Sequence, residues 1–154
     1  MQGEGPGSSS GFVLWQAANR WQRTLGAALR PLELTHVQFV LLASVWWLAR
    51  TRDALPTQRQ IADQAGTDPM MTSQVLRALE HRGLVSRAGS TADARVRTVM
   101  CTPEGARLSQ RAVRVVEAAD AEFFGGGAGA EELRRLCELI GILPADGKRS
   151  DPAS

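Results

Sequence analysis

The chain has 154 residues, 44% apolar and 22% charged, with a net charge of +2; this excludes a disordered or fibrous polypeptide and leaves room for one domain with a real core, or one compact protomer with extra helices. The longest apolar run, Val37 to Ala49, is interrupted by Gln38 and Ser44 and falls short of the roughly 20 residues of a membrane span. The Gly/Ser-rich start, Met1 to Gly11, predicts no export signal, and Cys101 and Cys137 cannot build a disulfide framework, so a cytoplasmic location is expected; with only His36 and His81, neither a metal site nor a cofactor is.

Phe12 to Leu29 reads as an amphipathic helix, with Leu14, Ala18, Trp21, Leu25 and Ala28 recurring at three- and four-residue steps until Pro31 stops it. Thr35-His36-Val37-Gln38 has capping-box form and opens a strongly apolar helix to about Ala49. Thr57-Gln58-Arg59-Gln60 repeats that form behind Pro56, starting a short helix ended by Ala65-Gly66. Asp68 and Pro69 suit the cap and first position of the next helix, which runs to about Arg82 before Gly83. Two short helices joined by a three-residue turn containing Gly predict a helix-turn-helix.

Leu84 to Arg87 and Val96 to Cys101 are β-prone runs flanking a polar stretch, which predicts a hairpin with a long charged tip. Thr102-Pro103 starts a helix to about Phe124, Gly125-Gly126-Gly127 breaks it, and Glu131 to Ile142 reads as a last helix before a disordered tail.

Charge is unevenly placed. Arg77 to Arg97 carries five arginines against Glu80 and Asp93, a net +3, whereas Arg111 to Leu139 carries four arginines against six acids, a net −2. A polyanion is drawn to the middle of the chain. On the helix starting at Pro69, an apolar stripe of Met71, Val75, Leu76 and Leu79 is expected to pack on Ile61, Ala62 and Ala65. Thr72, Ser73, Gln74 and Arg77 then face outward, led by Met70. Gln reads adenine and Arg reads guanine bidentately in a major groove, while Thr or Ser reads either base or phosphate. The alternative is a plain solvated face. Arg87, Arg95 and Arg97 are expected near the projecting end of the hairpin, where an Arg can enter a minor groove, with Asp93 orienting one of them.

The run Thr57 to Ala62, then Met71-Thr72-Ser73-Gln74-Val75-Leu76-Arg77-Ala78-Leu79-Glu80-His81-Arg82-Gly83-Leu84-Val85, resembles the MarR family of bacterial regulators. Asp93-x-Arg95, followed by Thr102-Pro103-Glu104-Gly105, is similar to that family's wing signature. The resemblance implies a mainly α fold of six helices with a small β-hairpin wing: a winged helix-turn-helix in a homodimer. Such a protein represses transcription from a pseudopalindromic operator in double-stranded DNA and is released by a small aromatic or apolar effector. Carried over by position, Thr72, Ser73, Gln74 and Arg77 match the reading part of the recognition helix. Arg95 matches the minor-groove wing arginine, Asp93 its buttress, and Thr57 and Gln58 the phosphate contacts, while Arg97 is a DNA-contact candidate from its place near the hairpin end alone. The implied organisation is a flexible start (1–11), an N-terminal dimerisation helix (12–34), a DNA-binding domain (35–102), C-terminal dimerisation helices (103–142) and a disordered tail (143–154). Cys101 stands where the family usually has Leu, and no Cys lies near the first helix, where peroxide-sensing members carry one.

Trp15, His36 and Trp47 are candidates for an effector pocket, although core or dimer contact is the plainer assignment for the tryptophans and exposure for His36. Cys101 and Cys137 read as buried hydrophobes. Two other classes remain to be weighed. A winged-helix protein-interaction module without an operator would make the charge of 77–97 incidental. An enzyme would have to use Cys101 and His81, which no nearby carboxylate orients.

Overall fold

Side-chain caps mark where four of the six helices begin. In the computed structural model, which describes residues 5, 7, 9–89 and 95–143, six α-helices and one hairpin follow in the expected order. They are α1 (Ser10–Leu29), α2 (His36–Thr51), α3 (Gln58–Ala65), α4 (Pro69–His81), β1 (Val85–Gly89), β2 (Arg97–Cys101), α5 (Pro103–Phe123) and α6 (Ala128–Leu139). Both capping boxes close. The Gln38 and Gln60 amides donate to Thr35 and Thr57 Oγ1 at 3.2 Å, and the two Gln side chains accept from the Thr amides at 3.1 and 2.9 Å. Asp68 Oδ1 accepts from Met70 and Met71 N–H at 2.9 and 3.0 Å, and such a cap contributes about 1 kcal/mol. Gly66 ends α3 at a φ of 66°, a left-handed turn that glycine adopts without a Cβ clash.

Departures from expectation are at ends and connections. Pro31 does not stop the chain dead, because Arg30–Leu32 adds a 3₁₀ turn that Glu33 closes at a φ of 54°. The last helix starts at Ala128, three residues before the predicted Glu131, where Gly129 N–H donates to Phe124 O at 3.1 Å in an approach that leaves no room for a Cβ. Of the expected flexible start, residues 1–4, 6 and 8 lie outside the described residues; so do 90–94, and 144–154 of the expected tail.

Helix α2 runs through the middle, touching α1, α3, α4, α5 and β2. Its Leu41, Leu42, Val45 and Leu48 meet Leu25 and Leu29 of α1, Ile61, Leu76, Leu79, Val85, Val99 and Val116 in one core. The hairpin pairs antiparallel with Arg87 opposite Val99 and Gly89 opposite Arg97. Val99 N–H also donates to Pro56 O at 2.9 Å, and Thr57 bridges Thr98, so the segment before α3 forms a third edge of the sheet. The α1–α5 pair carries the opposite side of the molecule. Trp21 Nε1 donates to Asp120 Oδ1 at 2.7 Å, and the Trp21 ring meets His36 edge-on at 5.0 Å.

The expected apolar stripe of α4 is turned by one residue. Thr72, Leu76 and Leu79 are the buried side chains and Val75 is half-buried, while Met71 is 41% exposed. The hydroxyl of Thr72 makes this possible, since it donates to Asp68 O at 2.8 Å and shares a 2.7 Å hydrogen bond with Thr67 Oγ1. A buried hydroxyl so satisfied packs like a small hydrophobe.

Candidate nucleic-acid interface

Helix α4 presents Met70, Met71, Gln74, Arg77, Ala78 and His81 to solvent, with Ser73 half-buried beside them. Gln74 and Arg77 thus stand one and two turns into a capped helix whose other side is sealed in the core. Thr72 must be removed from the reading face, because it is wholly buried. Met71 takes its place, and Ala78 and His81 extend the face. The i, i+4, i+7 spacing of Thr72, Leu76 and Leu79 was the available signal.

Arg95 and Arg97 are exposed at the far end of the hairpin, as expected, whereas Asp93 lies outside the described residues. Arg87 does not project. Its side chain is only 14% exposed and folds back to Glu80 on α4 at 2.7 Å. The reason is strand geometry: Arg87 lies opposite Val99 on the side of the ribbon that turns toward α4. The guanidinium beside Glu80 holds that carboxyl below its ordinary pKa. Thr57 is half-buried, its hydroxyl occupied by the α3 cap. Gln58 is half-buried at the first position of α3, and its Oε1 accepts from Arg87 Nη1 at 3.3 Å.

Trp15, His36 and Trp47 do not line one cavity. Trp15 borders a groove of about 1010 Å³ along α1 with Arg20, Arg23 and Phe123. His36 closes a second groove, of about 630 Å³, with Arg23, Arg30, Leu34 and Thr35. Trp47 is exposed and borders neither, while its neighbour Trp46 sits under the Arg50 guanidinium at 5.0 Å. Adjacent positions on a helix point about 100° apart, which separates the two rings. Burial holds His36 below its ordinary pKa, with Asp120 pulling the other way.

A model of the MarR family matches residues 34–96, from the start of α2 to the hairpin. YdcH of Bacillus subtilis, an uncharacterized HTH-type transcriptional regulator, is 39% identical over 137 residues, covering 88% of this chain and 92% of that protein. The chain belongs to the MarR family. Rv2887 of Mycobacterium tuberculosis, an HTH-type transcriptional repressor, is 30% identical over 85% of this chain and 92% of its own. CouR from Rhodococcus jostii, solved with p-coumaroyl-CoA bound, superposes with a TM-score of 0.71 at 27% identity, covering 90% of this chain and 96% of CouR. The Rv2887 structure, solved with salicylic acid, has a TM-score of 0.63 at 30% identity over 87% of this chain and 97% of that one.

This MarR-family protein is therefore a DNA-binding transcriptional regulator with a winged-helix fold, and its relatives are regulators rather than enzymes. No single helix among the described residues is long and apolar enough to cross a membrane. Cys101 is half-buried, its Sγ 3.9 Å from Leu42 O, and burial pushes the thiol up to about 11. A thiol so raised is protonated at neutral pH, and the thiolate is the reactive form.

Proposed function

We propose that the protein is a homodimeric repressor that reads a pseudopalindromic operator and leaves it when a small aromatic effector binds. Ser73, Gln74 and Arg77 read the major groove, Thr57 and Gln58 hold phosphate, and Arg95 and Arg97 follow the flanking minor groove. The observation that carries this reading is the outward side of α4, with Gln74 and Arg77 in its first turns. Those are the turns a recognition helix places against base edges. The segment 35–102 then acts as the DNA-binding domain.

Dimerisation through 12–34 and 103–142 is supported by apolar surface left open on both. Leu14 and Trp15 of α1 are 51% and 63% exposed, and Leu136 and Ile140 on and just after α6 are 45% and 54% exposed. A groove of about 380 Å³ between Leu14, Phe123 and Leu133 continues that surface. A two-fold pair of recognition helices reads half-sites about one helical turn apart and doubles the phosphate contacts. For the effector, the groove at His36 has the dimensions of a ligand site, and Arg23 and Arg30 suit a carboxylate. The salicylic acid bound by Rv2887 and the p-coumaroyl-CoA bound by CouR support an aryl group carrying an anion.

The test is binding to duplexes selected from the source genome, measured across salt concentrations. Arg77→Ala is expected to weaken discrimination between duplexes by about 1–3 kcal/mol, and Arg95→Ala to lower the salt slope by about 1 and relax the preference for flanking A·T steps. Operator affinity that survives both changes intact, or a dimer that prefers no duplex over random DNA, refutes the reading.

A further inference from the structure

The proposed DNA face is made of separate pieces, the outer side of α4, the start of α3 and the wing. One guanidinium joins them. Arg87 donates Nε and Nη2 to Glu80 Oε2 at 2.9 and 2.7 Å, and its backbone N–H donates to Glu80 Oε1 at 3.2 Å. Its Nη1 donates to Gln58 Oε1 at 3.3 Å. The last turn of α4, the middle of β1 and the first residue of α3 thereby converge on a single planar group, whose rigid fork fixes angles as well as distances.

We propose that Arg87, clasped by Glu80, is a positioning residue for sequence recognition, setting the pitch of the wing against α4 and the orientation of the Gln58 amide. With Gln58 Oε1 turned to Arg87, the Nε2 hydrogens point away from that contact, which is the donor end a phosphate oxygen requires. An arginine serving DNA by charge alone would reach into solvent, yet this one is spent on a carboxylate. A carboxylate beside a duplex-binding surface repels the ligand. Its presence is accounted for by what it holds. This inference rests on the assignment of α4 and the wing to DNA.

Charge and position predict opposite signs, so Glu80→Gln separates them. The variant is isosteric and makes the surface more positive, which by electrostatics alone tightens binding to every duplex alike. The probes are a duplex selected by the parent protein from a random-sequence library and a scrambled duplex of the same composition, at one salt concentration well below the melting temperature. Expected is a fall of about tenfold in the ratio of the two affinities, with binding to the scrambled duplex unchanged or tighter. Arg87→Lys, which keeps the charge and loses the fork, is expected to lower the ratio likewise. A ratio unchanged in both variants overturns the proposal and leaves Glu80 a screening charge. Arg77→Ala and Arg95→Ala run alongside. If they too leave both affinities unchanged, the DNA face itself is wrong and the inference falls with it; if they lose the operator while Glu80→Gln and Arg87→Lys do not, only the positioning role falls.

Discussion

Gly105, in the first turn of α5, offers a prediction that can be worked from distances. A Cβ added there would lie 1.8 Å from the carbonyl oxygen of Leu84 and 2.8 Å from its carbonyl carbon. Both are backbone atoms, so no side chain can swing aside. Relief means moving α5 away from the α4–β1 connection, and that connection is pinned to α5 by two hydrogen bonds, Thr102 N–H to Leu84 O at 3.0 Å and Thr102 Oγ1 to Gly83 O at 2.6 Å. Overpacking of this kind costs about 1–3 kcal/mol, and each weakened hydrogen bond adds about 1 kcal/mol. Gly105→Ala is thus expected to destabilise by about 4 kcal/mol, a large share of the ~5–15 kcal/mol of a whole domain. In a chain of this size that lowers the melting temperature by roughly 8–16 °C. The assay is thermal unfolding by circular dichroism at one fixed protein concentration, because association shifts the apparent midpoint. Gly26→Ala is the control. Gly26 lies within α1 with nothing within 4 Å of an added Cβ, and a gain of about 0.5–1 kcal/mol is expected there. A Gly105→Ala protein that melts within about 2 °C of the parent refutes the steric reasoning.

Thr72→Val is expected to lose about 1–2 kcal/mol of stability, because the hydrogen bonds to Asp68 O and Thr67 Oγ1 disappear, while leaving duplex affinity of the folded protein unchanged. A loss of operator preference in Thr72→Val would return that residue to the reading face. At pH 8, a thiol with its pKa near 11 is about 0.1% thiolate. Alkylation of Cys101 by iodoacetamide, followed by mass spectrometry, should therefore run far slower than that of free N-acetylcysteine, and should accelerate as pH rises toward 11. Equal rates at pH 8 would contradict the burial of the thiol.

The starts of the four capped helices were readable from the sequence because capping is local, whereas the uncapped α1 and α6 begin two and three residues earlier than expected. Thr35, Thr57, Asp68 and Thr102 each bond a backbone amide two or three residues ahead, so a window of four residues carries the whole signal. The outward side of α4 was readable to within one position. Met71 and Thr72 were exchanged because hydropathy favours burying the methionine, whereas the Thr67 and Asp68 partners that satisfy the hydroxyl depend on the turn's geometry. Arg87 was misplaced for a related reason. Sequence shows a cation on a strand but not which side of the ribbon meets α4, and Glu80 lies on that side. The aromatic candidates were the least legible, since the grooves at Trp15 and His36 are separate and Trp47 borders neither. Trp15, His36 and Trp47 come from helices whose relative rotation is set by tertiary packing, and no local pattern reports that rotation.

The same rung of the hairpin also closes both of its flanks. In an antiparallel ribbon, residues such as Arg87 and Val99 point their amides sideways, where a strand from another molecule could add on. Here the Val99 amide is taken by Pro56 O and the Arg87 amide by the Glu80 carboxylate. A foreign strand approaching the root of the wing finds one flank already paired and the other guarded by a charge. Removing the carboxylate would accordingly unmask a sticky border and invite self-association of concentrated protein, a liability separate from anything the hairpin does on a duplex.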